Sequence, residues 1–246
     1  MTVSRRIFTG FLGLSAVLVG TWAARADDKQ PAHSAVKPVD KKDKGWVDRH
    51  DRFVQRAKMG DVDVLFLGDS ITQSWEGKGA KEVWDKSFGA MKPANFGISG
   101  DQTQHVLWRI TEGKELEGIQ PKAVVLMIGT NNTGGNSAEE IADGVTAIVK
   151  SLHHQRPHAK VLLLGVFPRS EKPDGKHRDK IKQVNERIAK LDDGKQVYFL
   201  DIGAKFLDKD GNLTKDIMPD FLHLSKQGYQ IWADSITPKL KELLEK

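Results

Sequence analysis

The 246-residue chain contains no cysteine, which excludes a disulfide-stapled scaffold and fits an oxidising compartment, where a stray thiol would pair. Nine prolines and 23 glycines without a G-x-y period exclude a collagen-like fibre, and 39% apolar residues exclude a wholly disordered chain. There is no internal repeat, no low-complexity tract, no GxxxxGK[ST] phosphate loop and no GxSxG elbow. Charge of one sign is also scarce. The net charge is +5, but Arg5, Arg6 and Arg25 fall within residues 1–26, which carry no acid; without them 35 basic residues face 33 acidic ones. That balance leaves no electrostatic footprint for nucleic acid. What is present is bulky core material, six Trp and ten Phe, in a chain long enough to bury about 70% of its unfolded surface as one domain.

The first segment reads as an address. Ser4-Arg5-Arg6-Ile7-Phe8 precedes an apolar stretch from Phe11 to Val19, and Ala24-Arg25-Ala26 follows. This is the layout of a secretory signal with a small-residue cleavage site, and the SRRIF run resembles the twin-arginine export motif. Residues 1–26 are therefore expected to be a signal peptide, with an uncleaved membrane anchor as the alternative; in either case the folded part lies outside the cytoplasm, periplasmic or extracellular. Residues 27–45, rich in Lys, Asp, Pro and Ala without periodicity, read as a solvated linker. Residues 46–246 read as the folded domain. Its first helix is marked by Trp46, Val47, His50, Phe53, Val54 and Ala57 at helical spacing and stops at Gly60.

Five short apolar runs follow: 62–67, 94–96, 123–128, 161–166 and 197–202. Between them lie helical stretches, one opening with the capping box Ser137-x-x-Glu140 and continuing through Ile141, Val145, Ile148 and Leu152, another carrying Ile181, Val184, Ile188 and Leu191. Nearly all-apolar strands alternating with helices imply a parallel sheet covered on both faces, an α/β sandwich. In such a sheet ligands bind beyond the carboxyl ends of the strands, so chemistry is expected just after each run.

After the first run stands Gly68-Asp69-Ser70-Ile71-Thr72, with Ser70 as candidate nucleophile; the bland alternative is that Asp69 or Ser70 only caps a helix. After the second stands Gly97-Ile98-Ser99-Gly100-Asp101, and after the third Gly129-Thr130-Asn131-Asn132. A glycine N–H and an asparagine amide are donors suited to an oxyanion, and both are also ordinary turn residues. Near the C-terminus Asp220-x-x-His223 can align a carboxylate with an imidazole. A second copy, Asp174-x-x-His177, lies among Pro, Gly, Lys and Arg in a loop expected to be solvated, whereas Phe221, Leu222 and Leu224 anchor the later one. The later pair is preferred, because a general base must be held by its surroundings. His153, His154 and His158 do not form a metal site, since Pro157 interrupts the helix needed to align them. Trp75, Trp84 and Trp108 read as core rather than as a sugar platform, and His105 as a helix-surface residue.

The order GDS, GISGD, GTNN and DxxH resembles the SGNH (GDSL-type) hydrolases. Within them, NFGISGDQTQHVLWRI, FPRSEKP and DFLHLS are most similar to the intracellular platelet-activating factor acetylhydrolase catalytic subunits, over about residues 46–240. The resemblance implies a flavodoxin-like three-layer sandwich with a five-stranded parallel sheet and helices on both faces. It implies Ser70 as nucleophile, His223 as base, Asp220 as its orienting acid, and an oxyanion hole from the N–H groups of Ser70 and Gly100 and the Asn131 side chain. No metal or cofactor is required. Ile71, Thr130 and Leu222 adjoin these residues and are expected to crowd a long acyl group at the mouth, which favours short acyl esters, acetyl above all. Arg169 is a candidate contact for the alcohol part. The expected partner is a small acylated ester or acetylated glycan, with acetylated lipid as the other class; the oligomeric state is left open, a homodimer included. The competing function is a non-catalytic ligand-binding protein that keeps the fold.

Overall fold

The computed structural model describes residues 1–2 and 33–245. The signal-peptide assignment, but for residues 1–2, and residues 27–32 of the expected linker lie outside them. Within the described residues no helix is long and apolar enough to cross a membrane.

Five strands form one all-parallel sheet: β1 (Val64–Gly68), β2 (Pro93–Gly97), β3 (Ala123–Met127), β4 (Lys160–Leu164) and β5 (Val197–Leu200), in spatial order β2-β1-β3-β4-β5. The helices are α1 (Lys44–Lys58), the short α2 (Ser70–Gln73), α3 (Ala80–Phe88), α4 (Thr103–Ile110), α5 (Ala138–Gln155), α6 (Arg178–Ile188) and α7 (Lys226–Glu245). Each expected apolar run is a strand, with ends shifted by a residue or two; the 94–96 run gains one residue at each end.

Successive strand side chains point to opposite faces, and this divides the core in two. Leu65, Leu67, Val124, Leu126, Val161 and Leu163 pack against Phe53 of α1 and the apolar faces of α4, α5 and α6. Val64, Phe66, Val125, Met127, Leu162 and Leu164 pack on the other side against α3 and α7. There Trp75 packs at tilted and edge-to-face angles among Trp84, Phe88, Tyr229 and Trp232 with ring centroids 4.4–5.6 Å apart, a core role rather than a sugar platform. The box that opens α5 is complete: Glu140 N donates to Ser137 Oγ at 3.1 Å, and Ser137 N to Glu140 Oε2 at 2.9 Å.

Residues 33–43 correct the expectation of a solvated linker. Ser34–Val36 form a 3-10 turn whose Ala35 and Val36 are buried. The Ala35 carbonyl accepts from Thr103 Oγ1 at 2.9 Å, and Val39 N donates to the Gln104 carbonyl at 3.3 Å. The segment is a strap laid across α4 and α5, held by backbone hydrogen bonds and two small apolar side chains. Such a strap needs no periodicity, which is why its composition resembles a tether.

Beneath the carboxyl ends of β1 and β2 lies a fully buried ion network. Arg109 donates from Nε to Asp101 Oδ2 at 2.9 Å and from Nη1 to Glu115 Oε2 at 2.5 Å. It also reaches the carbonyls of Phe96 at 3.0 Å and Gly68 at 3.1 Å. Asp101 accepts from Trp46 Nε1 at 2.7 Å, and Glu115 meets His50 Nδ1 at 2.8 Å. Burial works against the Arg109 charge, but Glu115 and Asp101 more than offset it and hold the guanidinium protonated. Removing one member of a buried ion cluster leaves the others uncompensated. Arg109→Met is therefore expected to lower stability by about 3–5 kcal/mol, read as a fall in the urea midpoint at unchanged denaturant slope.

Candidate active site

β2 and β3 flank β1 on either side, so the carboxyl end of β1 is the point where the sheet's winding reverses. The chain turns there from Gly68 through Asp69 into α2, with Ser70 as its first residue. Close approach of β2 makes this turn tight: a Cβ added at Gly97 would lie 2.2 Å from the Gln73 nitrogen, so only glycine fits. Asp69 caps α2 through Oδ1, which accepts from Ile71 N at 3.0 Å, and its Oδ2 is buried without a partner. Burial raises the Asp69 carboxyl to about 7. The capping alternative thus holds for Asp69 and leaves Ser70 free for other work.

Ser70 Oγ lies 3.0 Å from His223 Nε2, and His223 Nδ1 lies 2.7 Å from Asp220 Oδ2. The geometry is a continuous hydroxyl–imidazole–carboxylate chain. Asp220 Oδ1 is engaged as well, accepting from Leu222 N at 3.1 Å and His223 N at 2.7 Å, so the carboxylate builds the turn that carries the ring. Phe221 sits in that turn at φ +58°, a left-handed conformation unusual for an aromatic residue, and its carbonyl is tied to Ser170 N at 3.0 Å. Burial disfavours the Asp220 charge, yet the hydrogen bonds from the His223 ring and backbone outweigh it and hold the carboxyl below its usual range. With Asp220 ionised, Nδ1 carries the proton and Nε2 is free to accept from the serine.

The other sequence candidates divide. The Asn131 side chain donates from Nδ2 to the Asp101 carbonyl at 2.8 Å, which binds the turn after β3 to the loop after β2 and leaves its second N–H free. Gly100 has φ +71°, and its carbonyl accepts from Lys41 Nζ at 2.8 Å. Among the described residues neither the Gly100 N–H nor the Ser70 N–H has a protein acceptor. Ile71 and Thr130, expected at the mouth, are instead each 1% exposed. The first turn of α2 directs Ile71 into the core beside Trp75, and the Thr130 carbonyl accepts from Arg169. Leu222 and Arg169 stay half-buried at the rim.

His177 opens α6 and is not hydrogen-bonded to Asp174; burial and the neighbouring Arg169, Lys176 and Lys180 lower its pKa. His105 is half-buried and helps cap α4, its Nδ1 accepting from Gln102 N at 3.0 Å; burial and Lys41 push it down to about 4. Sequence reasoning missed Lys41, because it stands in the segment taken for a tether, and the roles of Asp101 and Arg109, to which it assigned no function. Among the described residues no group of His, Asp and Glu is arranged to hold a metal.

A GDSL-like lipase/acylhydrolase family model matches residues 66–231. The chain is 42% identical over 204 residues to the platelet-activating factor acetylhydrolase IB subunit alpha2 of Gallus gallus, covering 82% of this chain and 86% of that protein. Against the Homo sapiens subunit alpha2 the identity is 41% over the same length and shares. A crystal structure of a GDSL-like lipase from Bacteroides thetaiotaomicron VPI-5482 superposes with a TM-score of 0.62 at 21% identity, over 81% of this chain and 97% of that one, a likeness of fold. The chain belongs to the GDSL-like lipase/acylhydrolase family and is a carboxylic ester hydrolase.

Proposed function

We propose that the protein is an exported serine esterase that removes short acyl groups, acetyl above all, from a small acylated ester, an acetylated carbohydrate or lipid. The observation that carries the reading is the 3.0 Å contact from Ser70 Oγ to His223 Nε2, continued at 2.7 Å to Asp220. Export rests on the SRRIF run and the apolar stretch behind it.

In this mechanism His223 Nε2 takes the Ser70 proton as Oγ attacks the ester carbonyl, and Asp220 stabilises the imidazolium that forms. The tetrahedral oxyanion is met by the N–H groups of Ser70 and Gly100 and the free N–H of Asn131. His223 then protonates the departing alcohol, an acyl-enzyme remains on Ser70, and His223 activates water to release the acid. Ser70 is only 9% exposed, which supports a small acyl group; Ile71 and Thr130 are buried away from the mouth and supply none of the crowding expected of them. The name of the relatives, acetylhydrolase, supports the same choice.

A fluorophosphonate probe is expected to label the protein and to lose labelling in Ser70→Ala; an unlabelled wild type favours the ligand-binding alternative. Asn131→Ala should lower kcat by about a hundredfold or more; unchanged turnover removes Asn131 from the oxyanion site.

Acyl length supplies a second measurement. An aryl acetate is expected to be cleaved faster than the matching octanoate, and the reverse order contradicts the short-acyl assignment.

Asp69 supplies a third. Its folded pKa of about 7 lies above the value near 4 of an unfolded aspartate, so the folded state binds the proton more tightly. That contribution is fully present below pH 4 and is lost as pH rises through 7. Asp69→Asn, which keeps the capping oxygen, should flatten this part of the stability profile, measured as the change in Tm between pH 5 and 8. An unaltered slope contradicts the assignment.

A further inference from the structure

The Gly100 N–H assigned above to the oxyanion lies in a turn that packing does not hold. Ile98 is buried, but Ser99 and Gly100 after it are exposed. Asp101 N donates to the Ile98 carbonyl at 3.2 Å, and Gly100, not Ser99, has a positive φ, +71°. That is the pattern of a type II turn, with glycine where a left-handed residue is required. The peptide joining Ser99 to Gly100 is its central plane and carries the donor. Neither residue has an apolar side chain to anchor that plane, so the position of the N–H depends on what grips the backbone on either side of it.

Two side chains from separate elements do so. Ser99 N donates to Gln73 Oε1 at 2.7 Å, and the Gly100 carbonyl accepts from Lys41 Nζ at 2.8 Å. Gln73 is the last residue of α2, whose first residue is Ser70. It therefore binds the turn bearing one oxyanion donor to the helix that supplies the nucleophile and another donor. Lys41 comes from the strap that precedes α1, and its ammonium also lies 3.3 Å from Asp101 Oδ1. Among the described residues it is the only lysine whose carboxylate partner is fully buried. Asp101 is itself fixed by Arg109 and Trp46. One grip thus leads to the nucleophile and the other to the ion network beneath the strand ends.

We propose that Gln73 and Lys41 are positioning residues for the reaction at Ser70: they clamp the Ser99–Gly100 turn from both sides and so hold the Gly100 N–H where the oxyanion forms. The proposal rests on the Ser70 esterase reading and deepens it. Neither side chain needs to meet the ester. Releasing either grip slows the chemical step without weakening substrate binding, because a donor displaced by about 1 Å serves the transition state poorly and can cost up to about a hundredfold in rate.

The test measures kcat and KM separately for the full chain on an aryl acetate. Gln73→Met and Lys41→Met should each lower kcat by about tenfold, with KM within about twofold of wild type. Lys41→Arg, whose guanidinium can serve both acceptors, should regain most of the loss. The double variant should lose little more than the worse single variant, because release of one grip already frees the plane; two independent losses would multiply to about a hundredfold. Lys160→Met is the control. Lys160 also holds a backbone carbonyl, that of Lys195 at 2.9 Å, but at the amino end of β4, and its loss should leave kcat unchanged. Where a methionine variant does not fold, Lys41→Gln and Gln73→Ala carry the same expectation. Unchanged kcat in either single variant, a rise in KM at constant kcat, the full product of losses in the double variant, or an equal fall in Lys160→Met each overturns the proposal. Absence of both turnover and fluorophosphonate labelling in the wild type overturns the Ser70 reading and this one with it, whereas turnover indifferent to both side chains overturns this one alone.

Discussion

The geometry at the carboxyl edge of the sheet depends on one buried cation. Arg109 has no exposed surface, yet it reaches the carbonyls that end β1 and β2, the carboxylate of Asp101 in the loop after β2, and Glu115 in the turn beyond α4. These are the segments from which the turns bearing Ser70 and Gly100 depart. Strand ends carry carbonyls that no further ladder satisfies, and a planar group with five donors can serve several of them at once. Asp101 then extends the order outward. One of its carboxylate oxygens takes Trp46 from α1, with the Lys41 ammonium 3.3 Å away, and its carbonyl takes Asn131. Desolvating such a cluster is costly, and its retention under the site fits a demand for one fixed arrangement rather than for added stability.

The sheet was legible because its strands are buried on both faces and so appear as unbroken apolar runs, and α5 because its capping box is a local device whose two hydrogen bonds lie within four residues. The first three site motifs were legible because each follows a strand, and the fourth because apolar residues are interleaved with its Asp and His. The ion network was not. Asp101, Arg109 and Glu115 stand before, on and after α4, spaced as surface charges around a helix commonly are, and only the packing of α4 against the strand ends turns them inward. Ile71 shows the same limit on a smaller scale: its place beside the serine was plain, but whether the first turn of α2 directed it outward or into the core required the backbone.

The two DxxH copies show what spacing leaves undecided. Asp220 gives one oxygen to two backbone N–H groups and the other to the imidazole, so the carboxylate makes the turn and orients the ring in one act. Phe221 accepts an unfavourable φ in the middle of it, with its backbone joined to Met218 and Ser170 on either side. At the earlier copy the histidine begins a helix and the aspartate does not reach it. The apolar residues interleaved with the later pair were the informative signal, because a left-handed turn is held only where its neighbours are anchored.

Discrimination between esters follows from what is already committed. A side chain with 1% exposure, such as Ile71 or Thr130, cannot meet a ligand unless the surrounding packing moves, so it sets a boundary rather than a contact. Lys41 is also committed, its ammonium divided between the Gly100 carbonyl and Asp101, and it therefore stiffens the loop after β2. Leu222 and Arg169 retain both accessible surface and unspent interaction capacity. One is apolar and one cationic, and they stand on the two loops that Ser170 and Phe221 join. Under the esterase reading proposed above, the alcohol part of an ester meets the rim that these two loops form, and Ile71 and Thr130 lie behind it.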